Sequence, residues 1–470
     1  MRKTKIIATM GPAISSYKIF KDCVVSGMNA VRLNMSHGTR EQHQIFVDYA
    51  KQARKELGVS LPIIVDTRGP EIRVGNFEND KVSIKKSQLF TFTTNKVVGN
   101  TNIVSLNMPS IIKNISVGGK ILANNGLLSF KVVEKTTTDI KCKALNSGIL
   151  SNHKSLFLPG VEYSCDYLNE ADKQDIIWAV EQGVEYVACS FVNHKEDILQ
   201  VKQLISKYHA HTQVISKIES KLGVKNLDEI INVSDGIMVA RGDLGVEISQ
   251  SKIPALQKNI ITKSRLAGKI VITATEMLES MVNNPRPTRA ETSDVANAVY
   301  DGTSIVMLSG ETAVGKYPSK TIKTMSDICL QAEKSTNYQK IFNGNPVNTT
   351  SIHDAISYSA VATSFCTNAK NIVVLSDSGN SAKLVSRFRP HSNIVVITYS
   401  SNTYHLLGLS WGVTPVLKKC TFSSLDKMIT LSNTTIKEMD LAKTGDVIVI
   451  VSASRYNDET TDIVKLHVIK

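Results

Sequence analysis

The stretch from Val214 to Glu247 sets the strongest limit on what this chain can fold into. It reads VISKIES, then a linker rich in acids and amides, then DGIMVARGDLGVE. Val214, Ile215 and Ile218 make one short apolar run, and Ile237, Met238 and Val239 make another. Each run is bounded by Gly, Asn, Asp or Ser, the pattern of strands buried on both faces of a parallel sheet. The segment between them, LGVKNLDEIINVS, has apolar residues at helical spacing, which predicts a strand–helix–strand unit. Charged residues collect where each strand ends: Lys217 and Glu219 on the first, Arg241 and Asp243 on the second. Residues two apart on a strand share a face, so Lys217 and Glu219 project together. Two carboxylates and an ammonium at the carboxyl ends of parallel strands can hold a divalent cation and an anionic substrate. A purely structural ion-pair network is the bland alternative.

The same rhythm recurs on both sides. Lys5–Thr9, Ala30–Asn34 and Ile63–Val65 read as strands, with helical patterns over Tyr17–Val25 and Arg40–Leu57. After residue 167 come a helix over Glu170–Gln182 and strands over Tyr186–Val192, Lys269–Ala274 and Thr303–Leu308. Strands alternate with helices over roughly 250 residues, which fits a closed (β/α)8 TIM barrel with its site at the carboxyl ends of the strands. A doubly wound open sheet is the second choice.

Residues 70–167 break the rhythm. Alternating patterns such as VSIKK, LFTFTT and SFKVV are split by GN, GG and NG turn signals, which predicts an inserted β-rich lid domain. The barrel then comprises residues 1–69 and 168–343. From residue 344 to 470 a second α/β unit follows the polar linker NGNPVNTTS, with strands at Asn371–Leu375, Ile394–Thr398 and Val447–Val451. SDSGNSAK enters a helix there, and its hydroxyls and backbone N–H groups suit a phosphate or an ordinary helix cap.

Composition narrows the class. A chain of 470 residues exceeds one hydrophobic core, and 42% hydrophobic with 21% charged residues is ordinary for a globular protein. Seven cysteines without CxxC or Cys/His spacing point to reduced thiols in the cytoplasm. No apolar run approaches membrane-spanning length. The formal charge of +13 reads as a lysine-rich surface or an affinity for phosphorylated metabolites. No Lys/Arg stripe interleaves with aromatics, which argues against nucleic acid.

Phosphoryl transfer needs positive charge, metal ions and in-line positioning more than covalent help. Arg32, Arg73 and Lys217 supply cations, and Glu219 and Asp243 supply hard oxygen ligands. Asn34, Ser36, Asp66 and Thr67 form an oxygen-rich cluster with one formal charge, suited to a monovalent cation. Thr275 can reach a substrate carbon or water with its hydroxyl. No P-loop or kinase-type glycine loop is present.

LNMSHG, DTRGPEIR, ISKIES, MVARGDLGVE, ITATEML, NPRPTRAE and MLSGETAVGKYP together resemble pyruvate kinase of the bacterial type. The resemblance covers essentially the whole chain. It implies transfer of a phosphoryl group from phosphoenolpyruvate to ADP, giving pyruvate and ATP, with Mg²⁺ (or Mn²⁺) and K⁺, in a homotetramer. It makes Arg32 a substrate-binding arginine and Lys217 the stabiliser of the transferring group. It makes Glu219 and Asp243 Mg²⁺ ligands, and Asn34, Ser36, Asp66 and Thr67 the K⁺ site. Gly242, Asp243 and Thr275 become substrate contacts, with Thr275 near the face where enolpyruvate is protonated. Asn34, His37, Arg73 and the lid's Lys154 fall in the nucleotide-binding region. His37 also reads as a hydrogen-bonded loop histidine.

Departures from the family pattern are mild. Arg68 replaces a lysine, and Glu276 replaces a glutamine beside an anionic substrate. The resemblance to sugar-phosphate-activated members makes Ser376, Ser378, Gly379 and Ser381 an effector phosphate loop. There Asn380 replaces a lysine, and SASRYNDETTD lacks the usual glycines and proline while adding Asp458 and Glu459. Arg455 or Lys383 is the candidate substitute for the missing cation. Two rivals stay open: another metal-dependent barrel acting on phosphoenolpyruvate or pyruvate, such as an aldolase, and a basic RNA-binding protein.

Overall fold

The computed structural model describes residues 1–161, 166–345, 351–418, 424–453 and 461–470. Parallel strands close into a barrel in the order Lys5–Thr9, Ile305–Leu308, Ile270–Ala274, Gly236–Ala240, Gln213–Ile218, Tyr186–Cys189, Ile63–Asp66 and Ala30–Asn34. Lys5–Thr9 pairs with both Ile305–Leu308 and Ala30–Asn34. That closure excludes the open sheet. Two strands are shorter than their apolar runs. Tyr186–Val192 stops at Cys189, and Thr303–Leu308 starts at Ile305. In the first case the chain turns at Phe191, whose φ is 55°.

Alternation on these strands makes two cores. Ile7, Ile64, Ile215, Met238 and Ile272 fill the barrel. Ile6, Val65, Val214 and Val239 pack outward against the helices. The helices start and stop where their caps dictate. Thr39 and Gln42 bond reciprocally at the head of Arg40–Leu57, and Gly58 ends that helix at φ 62°, a left-handed value that glycine adopts without strain. Thr288 and Glu291 make the same box ahead of Arg289–Tyr300.

The inserted unit alternates as its sequence does. Lys81–Ile84 and residues 89–92 and 128–132 bury every second residue, and Phe90, Phe92 and Phe130 meet in its centre. Ser155–Phe157 and Ile72–Arg73, the two chain connections to the barrel, pair with one another at the sheet edge.

The carboxyl-terminal sheet runs Val413–Leu417, Asn393–Thr398, Asn371–Leu375, Val447–Ser452, Ile463–Val468, the last antiparallel. The sequence reading omitted Val413–Leu417, interrupted by Pro415, and Ile463–Val468, broken by Lys465 and His467. Both are edge strands with partly exposed residues, so their apolar pattern is weak. This unit docks on the amino-terminal end of the barrel. Leu406 and Leu409 plug the interior, and Tyr186 donates its hydroxyl to the Leu406 carbonyl at 2.8 Å. The opposite, carboxyl end stays free for chemistry.

Candidate active site

A polar residue ends or directly follows every barrel strand at that free end, and several of these residues meet in one largely buried cluster. Asn34 and Asp66 lie in register on neighbouring strands. Arg32 Nε donates to Asp66 Oδ2 at 2.7 Å, and Arg32 Nη1 donates to Thr9 Oγ1 at 2.9 Å. Lys217 Nζ lies 3.1 Å from Asp66 Oδ1 and 2.9 Å from Glu219 Oε1. The shared strand face of Lys217 and Glu219 is therefore real. Arg241 and Asp243 require a correction. They do not extend the strand Gly236–Ala240 but sit in the first turn of a short helix, Arg241–Glu247, that follows it at once. Asp243 reaches the cluster from that turn.

Burial and charge set the protonation states. Burial alone would raise Asp66, but Arg32 and Lys217 hold its carboxyl below the ordinary range. Burial opposes the charge on Lys217, yet Asp66 and Glu219 outweigh it, and its ammonium is held more firmly than in water. Burial pushes Glu219 up, and the neighbouring charge of Asp243 adds to that rise against Lys217. Burial also raises Asp243, against Lys217 and with help from Glu71. Glu219 Oε1 is buried and makes no well-aligned hydrogen bond, although Lys217 Nζ is 2.9 Å away. Glu219 Oε2 accepts the Phe191 N–H at 2.6 Å.

A buried carboxylate, Glu219, with one unsatisfied oxygen, and a half-buried one, Asp243, fit a hard divalent cation. Among the described residues no group of three or more His, Cys, Asp or Glu forms a metal site. Two carboxylates would suit Mg²⁺, which commonly takes one or two carboxylates and completes its shell with small-molecule oxygens.

Thr275 is held against its backbone preference. Its φ is 67° and that of Glu276 is 51°, left-handed values that a β-branched residue rarely adopts. Arg241 Nη2 donates to the Thr275 carbonyl at 2.7 Å and to the Glu276 carbonyl at 3.1 Å. Asp294 anchors the other arm of Arg241 at 2.8 Å. Gly242 N–H then donates to Thr275 Oγ1 at 2.8 Å.

The pyruvate kinase barrel-domain family model matches residues 1–322, and the pyruvate kinase alpha/beta-domain model matches residues 354–467. The chain belongs to the pyruvate kinase family. Pyruvate kinases of Staphylococcus aureus strains MRSA252 and USA300 are each 40% identical to it over 473 aligned residues, covering 100% of this chain and 81% of theirs. The crystal structure of a pyruvate kinase from Cryptosporidium parvum superposes with a TM-score of 0.94 at 35% identity, covering 100% of this chain and 96% of that one. The chain is therefore a phosphotransferase built as pyruvate kinases are.

The other candidate residues lie around this cluster. The Ser36 N–H donates to Asn34 Oδ1 at 3.2 Å, and the Met35 N–H donates to the Asp66 carbonyl at 3.0 Å. Asn34, Ser36, Asp66 and Thr67 thus share two adjoining strand ends. His37 is exposed on the same loop. Partial burial lowers its pKa, and the charges of Arg73, Arg32 and Lys154 add to the fall, so lid and barrel cations converge there. Arg73 is engaged by Glu71, with Nε to Oε2 at 2.7 Å, and Glu71 also meets the Ser155 hydroxyl. Arg68 turns away from the cluster, to the Met35 carbonyl at 2.6 Å and to Asp175. Glu276 is exposed, and its charge bears on Glu279.

Sequence reasoning missed Ser190. Its Oγ accepts from Lys217 Nζ at 2.6 Å and donates to the Thr67 carbonyl at 2.7 Å, tying the lysine to the Asn34–Thr67 cluster. A lone serine after an apolar run gives no signal of that role. The left-handed turn at Phe191 was equally silent, because no glycine marks it.

At the candidate effector loop, Ser376 Oγ accepts the Gly379 N–H at 3.0 Å, Ser378 Oγ accepts the Asn380 N–H at 3.4 Å, and Ser381 pairs with Thr461. Lys383 does not serve this loop. Its Nζ donates to Gln213 Oε1 of the barrel at 3.1 Å. Arg455, Asp458 and Glu459 lie outside the described residues.

Proposed function

We propose that this protein transfers the phosphoryl group of phosphoenolpyruvate to ADP, giving pyruvate and ATP. The observation that supports this reading best is the placement of Lys217 between Asp66 and Glu219, with Arg32 beside it. An ammonium fixed by two carboxylates is held charged and aimed, so it can neutralise charge on a moving phosphoryl group without reorganising. Arg32 would hold the substrate's phosphate. Glu219 and Asp243 would hold the divalent cation, which when bound supplies further charge neutralisation on phosphate oxygens. Asn34, Ser36, Asp66 and Thr67 would hold K⁺. Gly242 and Thr275 would orient the enolpyruvate end, with the Thr275 hydroxyl close to its proton transfer. His37, Arg73 and Lys154 would contact the nucleotide phosphates as the lid closes.

The same reading carries a homotetramer in the cytosol, open to light scattering and fractionation. The activity itself is tested by coupling pyruvate formation to NADH oxidation with lactate dehydrogenase. Turnover that requires ADP and phosphoenolpyruvate together supports it. Pyruvate release or consumption without ADP would instead indicate an aldolase-type barrel.

A further inference from the structure

Two consecutive residues hold the two groups on which the proposed transfer most depends. Ser190 Oγ accepts from Lys217 Nζ at 2.6 Å, and the N–H of Phe191 donates to Glu219 Oε2 at 2.6 Å. Ammonium and carboxylate are thus both referenced to one turn. That turn is not relaxed. Phe191 has a φ of 55°, a left-handed value that a residue other than glycine keeps where its surroundings impose it. The imposing contacts therefore aim the Ser190 hydroxyl and the Phe191 N–H.

Those contacts come from both connections between barrel and lid. On the outgoing side, the Ser190 N–H donates to Thr67 Oγ1 at 3.3 Å, and the Ser190 hydroxyl donates to the Thr67 carbonyl at 2.7 Å. Gly69, just before the inserted unit, lies so close that a Cβ there would stand 2.8 Å from the Ser190 carbonyl oxygen. On the returning side, the buried Tyr167 donates its hydroxyl to that same carbonyl at 2.8 Å. The ring of Phe157, on the strand Ser155–Phe157, lies against the ring of Phe191, with centroids 6.4 Å apart and planes tilted by 54°. Hydrogen bonds fix Ser190, and the ring contact bears on Phe191. Both rings line a cavity of ≈ 580 Å³ between lid and barrel. Neither is locked in a close-packed core there, so the contact is free to change as the lid swings.

We propose that Phe157 is a positioning residue for the transfer. Pressed on Phe191, it keeps the Ser190–Phe191 turn in its strained form, and the turn keeps Lys217 and Glu219 in place. The position of the lid is thereby passed to the reacting groups by a side chain that touches neither substrate nor metal. This role rests on the phosphotransfer reading of Lys217 and Glu219.

A double-mutant cycle of Phe157→Ala, Phe191→Ala and the two combined separates a relay from simple hinge packing. Two quantities are read on the full chain. One is the Mn²⁺ dissociation constant without substrates, from the electron paramagnetic resonance of free Mn²⁺. The other is kcat in the coupled assay. Each single variant should weaken Mn²⁺ by about threefold or more and lower kcat by about tenfold or more, with a smaller change in the KM for phosphoenolpyruvate. The double variant should be no worse than the worse single, because both cut the same link. Phe157→Tyr keeps the ring and should match the parent. If Phe157→Ala fails to fold by circular dichroism, Phe157→Leu, apolar but without a ring, replaces it in the cycle. Additive losses in the double variant, or parental Mn²⁺ affinity and kcat in Phe157→Ala, would overturn the relay. A parent that binds Mn²⁺ but turns over without needing ADP and phosphoenolpyruvate together would fail the reaction instead, and the Mn²⁺ cycle alone would then decide the relay.

Discussion

Arg241 holds Thr275 in a backbone conformation that threonine avoids. One guanidinium arm accounts for the Thr275 and Glu276 carbonyls, and the other is anchored on Asp294. Left-handed non-glycine residues cost of order 1–3 kcal/mol each and persist where the surroundings impose them. Arg241→Met should therefore let the segment relax and move the Thr275 hydroxyl. A misplacement near 1 Å can cost about 10²-fold in rate. We expect kcat to fall by tenfold or more with a smaller change in the KM for phosphoenolpyruvate. Thr275→Gly separates strain from chemistry: Tm should hold or rise while kcat drops. A Thr275→Gly protein that loses stability would show that the strain argument fails.

Lys217→Met removes a charge set between two buried carboxylates. Loss of phosphoryl-group neutralisation should lower kcat on the order of 10³-fold or more, with far less effect on KM. The variant also leaves Asp66 and Glu219 without their shared cation, and breaking a buried pair costs about 3–5 kcal/mol. Stability and kinetics must be read together. A folded Lys217→Met protein with more than a tenth of parental kcat would dismiss the assignment.

The barrel and the meeting of Arg32, Asp66, Lys217 and Glu219 were legible because each rests on a strong periodicity. Apolar runs on doubly buried strands are continuous, and the residue following each run falls at the same end of the barrel. Ser190, Phe191 and the role of Arg241 were not legible. Their contributions depend on a turn made without glycine and on contacts between loops far apart in sequence, neither of which leaves a local pattern. Arg241 and Asp243 read as a strand end because a short helix beginning directly after a strand has no capping residue to announce it: Ala240 stands at the cap.

Glu71 bears on the question of K⁺. Its charge reaches Asp243, and its carboxylate is held by Arg73 and Ser155 beside the lid connections. A lysine at this position would bring a fixed ammonium to the same neighbourhood, whereas Glu71 brings none. Activity should therefore require K⁺, and Glu71→Lys should shrink the ratio of activities with and without it. Rates measured in potassium and in tetramethylammonium buffers decide the matter. Full parental activity in tetramethylammonium would refute the dependence.

His405 makes the joint between barrel and carboxyl-terminal domain sensitive to acid. Burial brings its pKa down to about 3, with the charge of Arg54 adding to the fall. The folded protein thus keeps the imidazole neutral, while the unfolded chain protonates it near pH 6.5. The stability it contributes is complete above pH 6.5 and is lost as pH falls toward 3. Because the side chain is partly solvated, we expect the loss between pH 7 and 5 to be about 1 kcal/mol. His405→Gln should flatten that part of the profile in urea titrations. Parallel profiles for parent and variant would remove His405 as the cause.

The serine loop has the shape of a phosphate cradle but not its free groups. Ser376 and Ser378 each accept a backbone N–H of the helix start, and Ser381 is paired with Thr461. A phosphate must displace these bonds before making its own. Among the described residues no cation compensates: Lys383 is turned to Gln213, and Asn380 stands where the resemblance to activated members implies a lysine. Charge-assisted bonds are worth roughly 1.5–3 kcal/mol each, so losing one weakens binding by about tenfold or more. Fructose 1,6-bisphosphate should activate this enzyme weakly or not at all. Asn380→Lys should shift half-maximal activation to at least tenfold lower concentration. Titration at sub-saturating phosphoenolpyruvate measures both, and strong activation of the parent at micromolar bisphosphate would show that the loop opens for its ligand without that lysine.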